Sequence, residues 1–248
     1  MTNAKKRTGS KQQIQMCRIA GIIDSKNNQA QLQADVKAMC DAMAHGGPDD
    51  FGLATVNEHT VFGHRRLAII DLSSSGHQPM LYDDFTISFN GEIYNYSELK
   101  KELIELGFTF ITETDTEVIL VGFKAWGVEL FGKLEGMFAF ALNEKSKNET
   151  YLVRDQMGIK PLYYSIQNER LIFSSEVKAF TKTAYQFAIN QNWKTYFLAF
   201  GHIPHPYTTL KNVYSLAGGS YLKWDHSTEN YKIHHFAAST NKKMICTE

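Results

Sequence analysis

Five short stretches of this sequence hold residues whose types could do chemistry. In IQMCRIAGIID, Ile14 to Asp24, a Met–Cys pair opens a strand-like apolar run. Cys17 is therefore either a thiol buried in a strand or the first residue of a working enzyme. GHRRLAIIDLS sets Arg65 and Arg66 at the mouth of an apolar strand, and FNGEIYNY sets Asn90, Gly91 and Glu92 after a strand at Thr86–Phe89. TETDTEVIL puts Asp115 in the first turn of a helix, and VRDQMGIKPLYY puts Arg154 and Asp155 at a strand end. Each has a plain structural reading when taken singly. Paired arginines are usually a solvated edge. Gly91 would allow a turn with positive φ. A carboxylate in a first helical turn often serves only the macrodipole, and Arg154–Asp155 reads as a structural ion pair.

Other chemistries find little support. His234 and His235 are adjacent, so on a strand they face opposite sides and cannot share an ion; no metal spacing stands out. There is no GxxxxGK[ST] and no strand-linked GxGxxG, so nucleotide binding by this chain is unsupported. Lys plus Arg equals Asp plus Glu at 26 each, a balance that recommends no nucleic-acid partner. No apolar run approaches the ~20 residues that span a bilayer. Three cysteines without CxxC spacing or a secretion signal fit a reducing cytosol, so a cytoplasmic location is expected.

The elements that must position these residues alternate along the chain. Arg18–Asp24 reads as a strand, and Gln29–Ala44 carries Leu32, Val36, Met39, Cys40 and Met43 at a helical period, which makes Cys40 a packed core thiol. Phe51–Val56, Thr60–Gly63, Leu67–Leu72 and Thr86–Phe89 look like short strands. Tyr96–Leu106 is a helix stopped by Gly107, and a second begins near Thr114, with Thr114 and Glu117 in a capping-box pattern. Strands follow at Met137–Leu142, Thr150–Val153, Leu162–Ser165, Leu171–Ser174, Tyr221–Trp224 and Tyr231–Phe236, with short helices at Glu176–Thr181 and Gln191–Phe200. Hairpin-like runs of strands with a few helical blocks favour an α+β fold of antiparallel sheets.

Together the stretches form a recognisable set. MC-IAGIID, H-GPDDFG, GHRRL-IIDLS, FNGEIYNY, TDTEVIL, LEGMFAFAL, RD--GIKPLYY and SSEVKAF occur in that order. From Met16 to about Tyr231 the chain resembles the glutaminase domain of glutamine-dependent asparagine synthetases, which are class II glutamine amidotransferases and N-terminal nucleophile hydrolases. The resemblance implies a four-layer αββα sandwich spanning 17–236, with 1–16 as a leader and 237–248 as a loose tail.

It also implies roles. Cys17 would be the nucleophile and its own α-amino group the base. A free α-amine has a pKa of ~8, so a useful fraction is neutral at working pH, whereas a peptide nitrogen has no such basicity. The Asn90 side chain and the Gly91 N–H would stabilise the oxyanion. Arg66 would bind the α-carboxylate of L-glutamine bidentately. Asp115, helped by Glu92, would take the α-ammonium, and the backbone of Leu67–Ile70, including Leu67, Ile69 and Ile70, would line the pocket. Arg65 would be structural.

Three departures matter. Residues precede Cys17, so either Met16 is the true start or a propeptide must be cut. The family's HRGPD reads His45-Gly46-Gly47-Pro48-Asp49, which predicts weakened catalysis, while Arg18, usually a small residue, is expected to face away from Cys17 with a smaller effect. No SGGxDS loop occurs, so ATP and magnesium are expected only on a synthetase chain or domain outside this one, and this chain is expected to carry no cofactor and no metal. The competing expectation is a degenerate amidotransferase that binds glutamine or a synthetase partner but turns over poorly.

Overall fold

The computed structural model describes residues 16–67 and 76–236. Among them the strands form two six-stranded sheets whose pairings are all antiparallel. The first sheet runs β10 (Tyr214–Ser215), β8 (Tyr163–Gln167), β9 (Arg170–Ser174), β1 (Arg18–Ile23), β3 (Thr60–Arg66), β2 (Asp50–Asn57). The second runs β12 (Asn230–His235), β11 (Ser220–Asp225), β7 (Glu149–Arg154), β6 (Gly136–Glu144), β5 (Phe85–Ile93), β4 (Met80–Tyr82). The helices are α1 (Gln29–Ala42), α2 (Tyr96–Glu105), α3 (Asp115–Trp126), α4 (Leu130–Lys133), α5 (Val177–Phe180) and α6 (Trp193–Phe200).

Strand β1 shows why the layers form. Every residue of it is buried, so its side chains must be covered on both faces. With a period of two, Ile19 and Ile23 pack against Ala139, Ala141, Leu152 and Leu222 of the opposing sheet. Ala20 and Ile22 pack on the other side against Leu32, Val36, Met39 and Cys40 of α1. The far face of the second sheet buries Phe89, Phe140 and Val153 under Leu103, Val118 and Phe131 from α2, α3 and α4. Burying each large aliphatic contributes roughly 1.5–3 kcal/mol. The result is the expected helix–sheet–sheet–helix stack.

Helix starts follow local chemistry. Asn28 caps α1 by accepting from Gln31 N–H at 2.9 Å, and Thr114 caps α3 by accepting from Glu117 N–H at 3.3 Å. The reciprocal half of the expected capping box is not made. The Glu117 carboxylate instead accepts from Ile111 N–H at 2.8 Å and Thr112 N–H at 2.6 Å, one turn further back, which fastens the approach loop as well as the helix. The expected strand at Leu67–Leu72 falls almost wholly on residues outside those described, and Leu67 itself lies past the end of β3. The short strands β4 and β10 carried no period-two signal long enough to read.

Candidate active site

Cys17 stands immediately before β1. Arg18 lies across from Arg65 on β3, so one step back along the same register brings Cys17 beside Arg66. The thiol lies against the residue after Arg66: its Sγ accepts from Leu67 N–H at 3.3 Å, with Leu67 O at 3.7 Å. Burial pushes the Cys17 thiol up, and the Leu67 N–H and the charges of Arg66 and Lys160 only partly offset this. Such a thiol needs a base.

The second sheet supplies the opposite wall, and it is tied to the first at this end. His64 of β3 reaches Phe89 O at 2.9 Å through Nε2, and Ser88 Oγ of β5 donates to Gly63 O at 3.1 Å. Burial holds His64 down at about 4, so the ring is neutral near pH 7, and Nε2 carries the proton that it donates to Phe89 O.

Asn90, Gly91 and Glu92 lie within β5, paired with Ala139, Phe138 and Met137 of β6. They do not form the turn that their composition suggests, and Gly91 has no positive φ. Its reason for being glycine is space: a Cβ there would stand 2.2 Å from Met137 O. Phe89 N–H donates to Gln78 Oε1 at 2.6 Å and Ile93 N–H to Asp115 Oδ2 at 3.1 Å, both away from β6. Residues two apart on a strand direct their N–H groups to the same edge. Gly91, midway between them, therefore directs its N–H to that same edge. Phe138, opposite it, agrees: its own N–H and C=O are engaged on the other side by Asp155. Asn90 is 1% exposed, and neither its Oδ1 nor its Nδ2 has a partner among the described residues.

These groups line one pocket of about 410 Å³, which takes in Cys17, Arg66, Leu67, Asn90, Gly91, Glu92 and Asp115. Arg66 packs so closely on the chain at Gly76 that a Cβ there would lie 2.2 Å from its Nη2. Asp115 opens α3, where backbone N–H groups favour an anion. Burial outweighs them, and the nearby Glu92 adds repulsion, so the Asp115 carboxyl is pushed up to about 6. Ile69 and Ile70 lie outside the described residues.

Sequence reasoning missed three groups here. Lys160 lines the pocket, with its ammonium lowered by burial. Its signal was the RD--GIKP stretch, since Asp155 Oδ2 accepts from Lys160 N–H at 3.0 Å and fixes the loop that presents it. Gln78 also lines the pocket and holds the edge of β5. Arg18 does not simply face away: its Nη1 donates to Met16 O at 2.8 Å and Cys17 O at 3.0 Å. Arg65 donates to Cys40 O at 3.2 Å, pairs with Asp41 and covers the Phe51 ring. Arg154 and Asp155 are saturated by backbone partners and form no ion pair with each other among the described residues. Among the described residues, no group of three or more His, Cys, Asp or Glu could hold a metal ion, and no helix is long and apolar enough to cross a membrane.

The site thus places a cysteine heading a central strand against an Asn–Gly pair from the opposing sheet, in one pocket between two packed sheets. Comparison with solved structures agrees on the fold. The glutamine phosphoribosylpyrophosphate amidotransferase from B. subtilis superposes with a TM-score of 0.66 at 20% identity, over 91% of this chain and 50% of that one. Residues 16–236 match the glutamine amidotransferase domain family, and the chain belongs to that family. Among curated relatives, asparagine synthetase [glutamine-hydrolyzing] 1 of Bacillus subtilis (strain 168) is 39% identical over 83% of this chain. Asparagine synthetase [glutamine-hydrolyzing] 2 of the same organism is 36% identical over 88% of this chain. The chain spans about a third of their length, 33% and 30% respectively.

Proposed function

We propose that this domain hydrolyses L-glutamine and passes the ammonia to an ATP-dependent synthetase chain or domain. The observation that carries this reading is Asn90, a buried amide whose two polar atoms have no partner among the described residues, beside the strand edge to which the Gly91 N–H is directed. Buried polar groups are nearly always satisfied, so two such groups opposite a thiol suit a charge that develops only during reaction.

In this reading Arg66 takes the α-carboxylate, and Asp115 with Glu92 takes the α-ammonium. The neutral α-amine of Cys17 removes the thiol proton, and the sulfur attacks the side-chain amide carbon. Asn90 Nδ2 and Gly91 N–H donate to the oxyanion. The amine then gives its proton to the departing nitrogen, ammonia leaves, and water hydrolyses the γ-glutamyl thioester to glutamate. The mechanism requires the Met16–Cys17 peptide to be cut. ATP and magnesium belong, in this reading, to the synthetase partner, and a cytoplasmic location goes with it. Helix α6 supports a covering partner: Phe197, Leu198 and Phe200 are 54%, 85% and 60% exposed. The competing reading, a degenerate domain that binds glutamine or a synthetase partner but turns over poorly, rests in part on Gly46 and Arg18, and the contacts of Arg18 with the Met16 and Cys17 carbonyls give those two positions a structural role beside the nucleophile instead.

The test is glutamate release from glutamine by protein whose first residue is confirmed by mass as Cys17. Release well above that of Cys17→Ala supports the proposal. Release equal to that control ends it.

A further inference from the structure

We infer that Arg18 is the positioning residue that fixes the Cys17 backbone, and with it the thiol, from the space that Gly46 leaves open. The inference rests on the proposed role of Cys17 as nucleophile.

The geometry begins at residue 46. A Cβ on Gly46 would stand 2.9 Å from Cγ and 2.9 Å from Cζ of Arg18, and 2.9 Å from Met16 O. Gly46 is not in the left-handed region, so conformational freedom does not explain the glycine. Occupied space does, because the Arg18 side chain lies where a residue 46 side chain would go. Strand alternation starts Arg18 on the face opposite Cys17, but the absence of a side chain at Gly46 lets the long arginine curl back.

What the guanidinium does there is specific. Its Nε donates to Glu176 Oε1 at 2.6 Å, and its Nη1 donates to both Met16 O and Cys17 O. Glu176 is itself anchored. It receives His45 Nε2 at 3.0 Å and Lys178 Nζ at 3.1 Å, and its N–H donates to Ser174 Oγ at 3.2 Å. Arg18 is 7% exposed, so the pair is shielded from solvent and its geometry is restrained. One end of the fork is thus fixed to the α5 approach and the other grips the carbonyls flanking the nucleophile. Removing Met16 deletes one of those carbonyls but leaves the Cys17 carbonyl and Glu176, so the clamp persists in the form with a free α-amine. An expectation of weakened catalysis from Gly46 alone therefore leaves out the cation that replaces it from the neighbouring strand.

The test exchanges the two positions. Arg18→Gly, Gly46→Arg and the double variant are each prepared as the full chain and as chain beginning at Cys17, alongside Arg18→Lys. In chain beginning at Cys17, Arg18→Gly lowers kcat for glutamate release about 30-fold with KM within about threefold, as misplacing a reacting group does. Gly46→Arg alone also loses rate, because the space is taken. The double variant recovers to within about threefold, since an arginine at residue 46 can reach Glu176 through the vacated space. Arg18→Lys, which keeps the charge without the fork, falls between.

A second readout needs no activity. In the full chain, Cys17 carbamidomethylation by iodoacetamide, located by peptide mass, rises about fivefold in Arg18→Gly, because burial is what restrains this thiol. If the parent releases no glutamate, the proposed function fails, and alkylation still decides the clamp. Alkylation and kcat both unchanged in Arg18→Gly would overturn the inference, as would a double variant no better than the singles.

Discussion

Two arginine–aspartate regions of this protein share a vocabulary and differ in how it is used. At the β7 end, Asp155 is fully buried and accepts from the N–H groups of Phe138, Met157, Ile159 and Lys160, at 2.8 to 3.2 Å. Arg154 beside it donates to the carbonyls of Gly158, Lys160 and Leu216 and to Ser215. Every charge there is used up by the chain. Around Cys17, by contrast, Asn90 has two atoms without a partner among the described residues, and Asp115 is pushed up to about 6 by burial. Saturated polar groups build structure. Unsaturated ones, held at a cost of ~1–3 kcal/mol each, are kept for a ligand.

Substitutions should separate the two regions cleanly. The largest effect is on folding. Asp155→Ala takes the acceptor from four N–H groups, two of them, on Phe138 and Lys160, buried, so denaturant melts should show a loss of about 2–6 kcal/mol, against a total stability of about 5–15 kcal/mol. Asn90→Ala should do the reverse. It should cut kcat by about 10²–10³ while the melting temperature holds or rises, since two unsatisfied buried atoms leave with it. A large loss of stability in Asn90→Ala would put that residue in the same class as Asp155.

A smaller effect is a pH dependence that only the open region can show. Asp115 binds an ammonium as the carboxylate, so KM for glutamine should rise about tenfold per unit below pH ~6 and be flat above it. The sign for stability is opposite. A carboxyl raised to about 6 holds more protons folded than unfolded, so its contribution falls as pH rises from about 4 to about 6. Asp115→Asn should therefore melt higher than the parent at pH 7 and lose the KM dependence. The smallest effect belongs to Arg65, which pairs with the half-exposed Asp41. Arg65→Ala should cost about 0.5–1 kcal/mol and leave kcat/KM within about twofold.

Much of this was legible in the chain, and the gaps have physical causes. The buried run at β1, the helical period of α1 and the order of polar stretches all read directly. Gly91 was misread because Asn, Gly and Glu are poor strand residues, whereas pairing with β6 along the whole of β5 overrides that preference. Arg18 was misread because alternation gives only the direction of Cα–Cβ, and the reach of a long side chain depends on a neighbour outside the strand, the bare backbone at Gly46. Lys160 was missed because the RD--GIKP stretch contains it without showing that the turn closed by Asp155 presents it to the pocket.

The central claim is that Cys17 works only with its own α-amine free. The direct measurement compares glutamate release by two forms of one protein, identical but for Met16, with each N-terminus confirmed by mass. The account predicts that retaining Met16 lowers the rate by about 10²–10⁴, the worth of a positioned base. Equal rates in the two forms would contradict it.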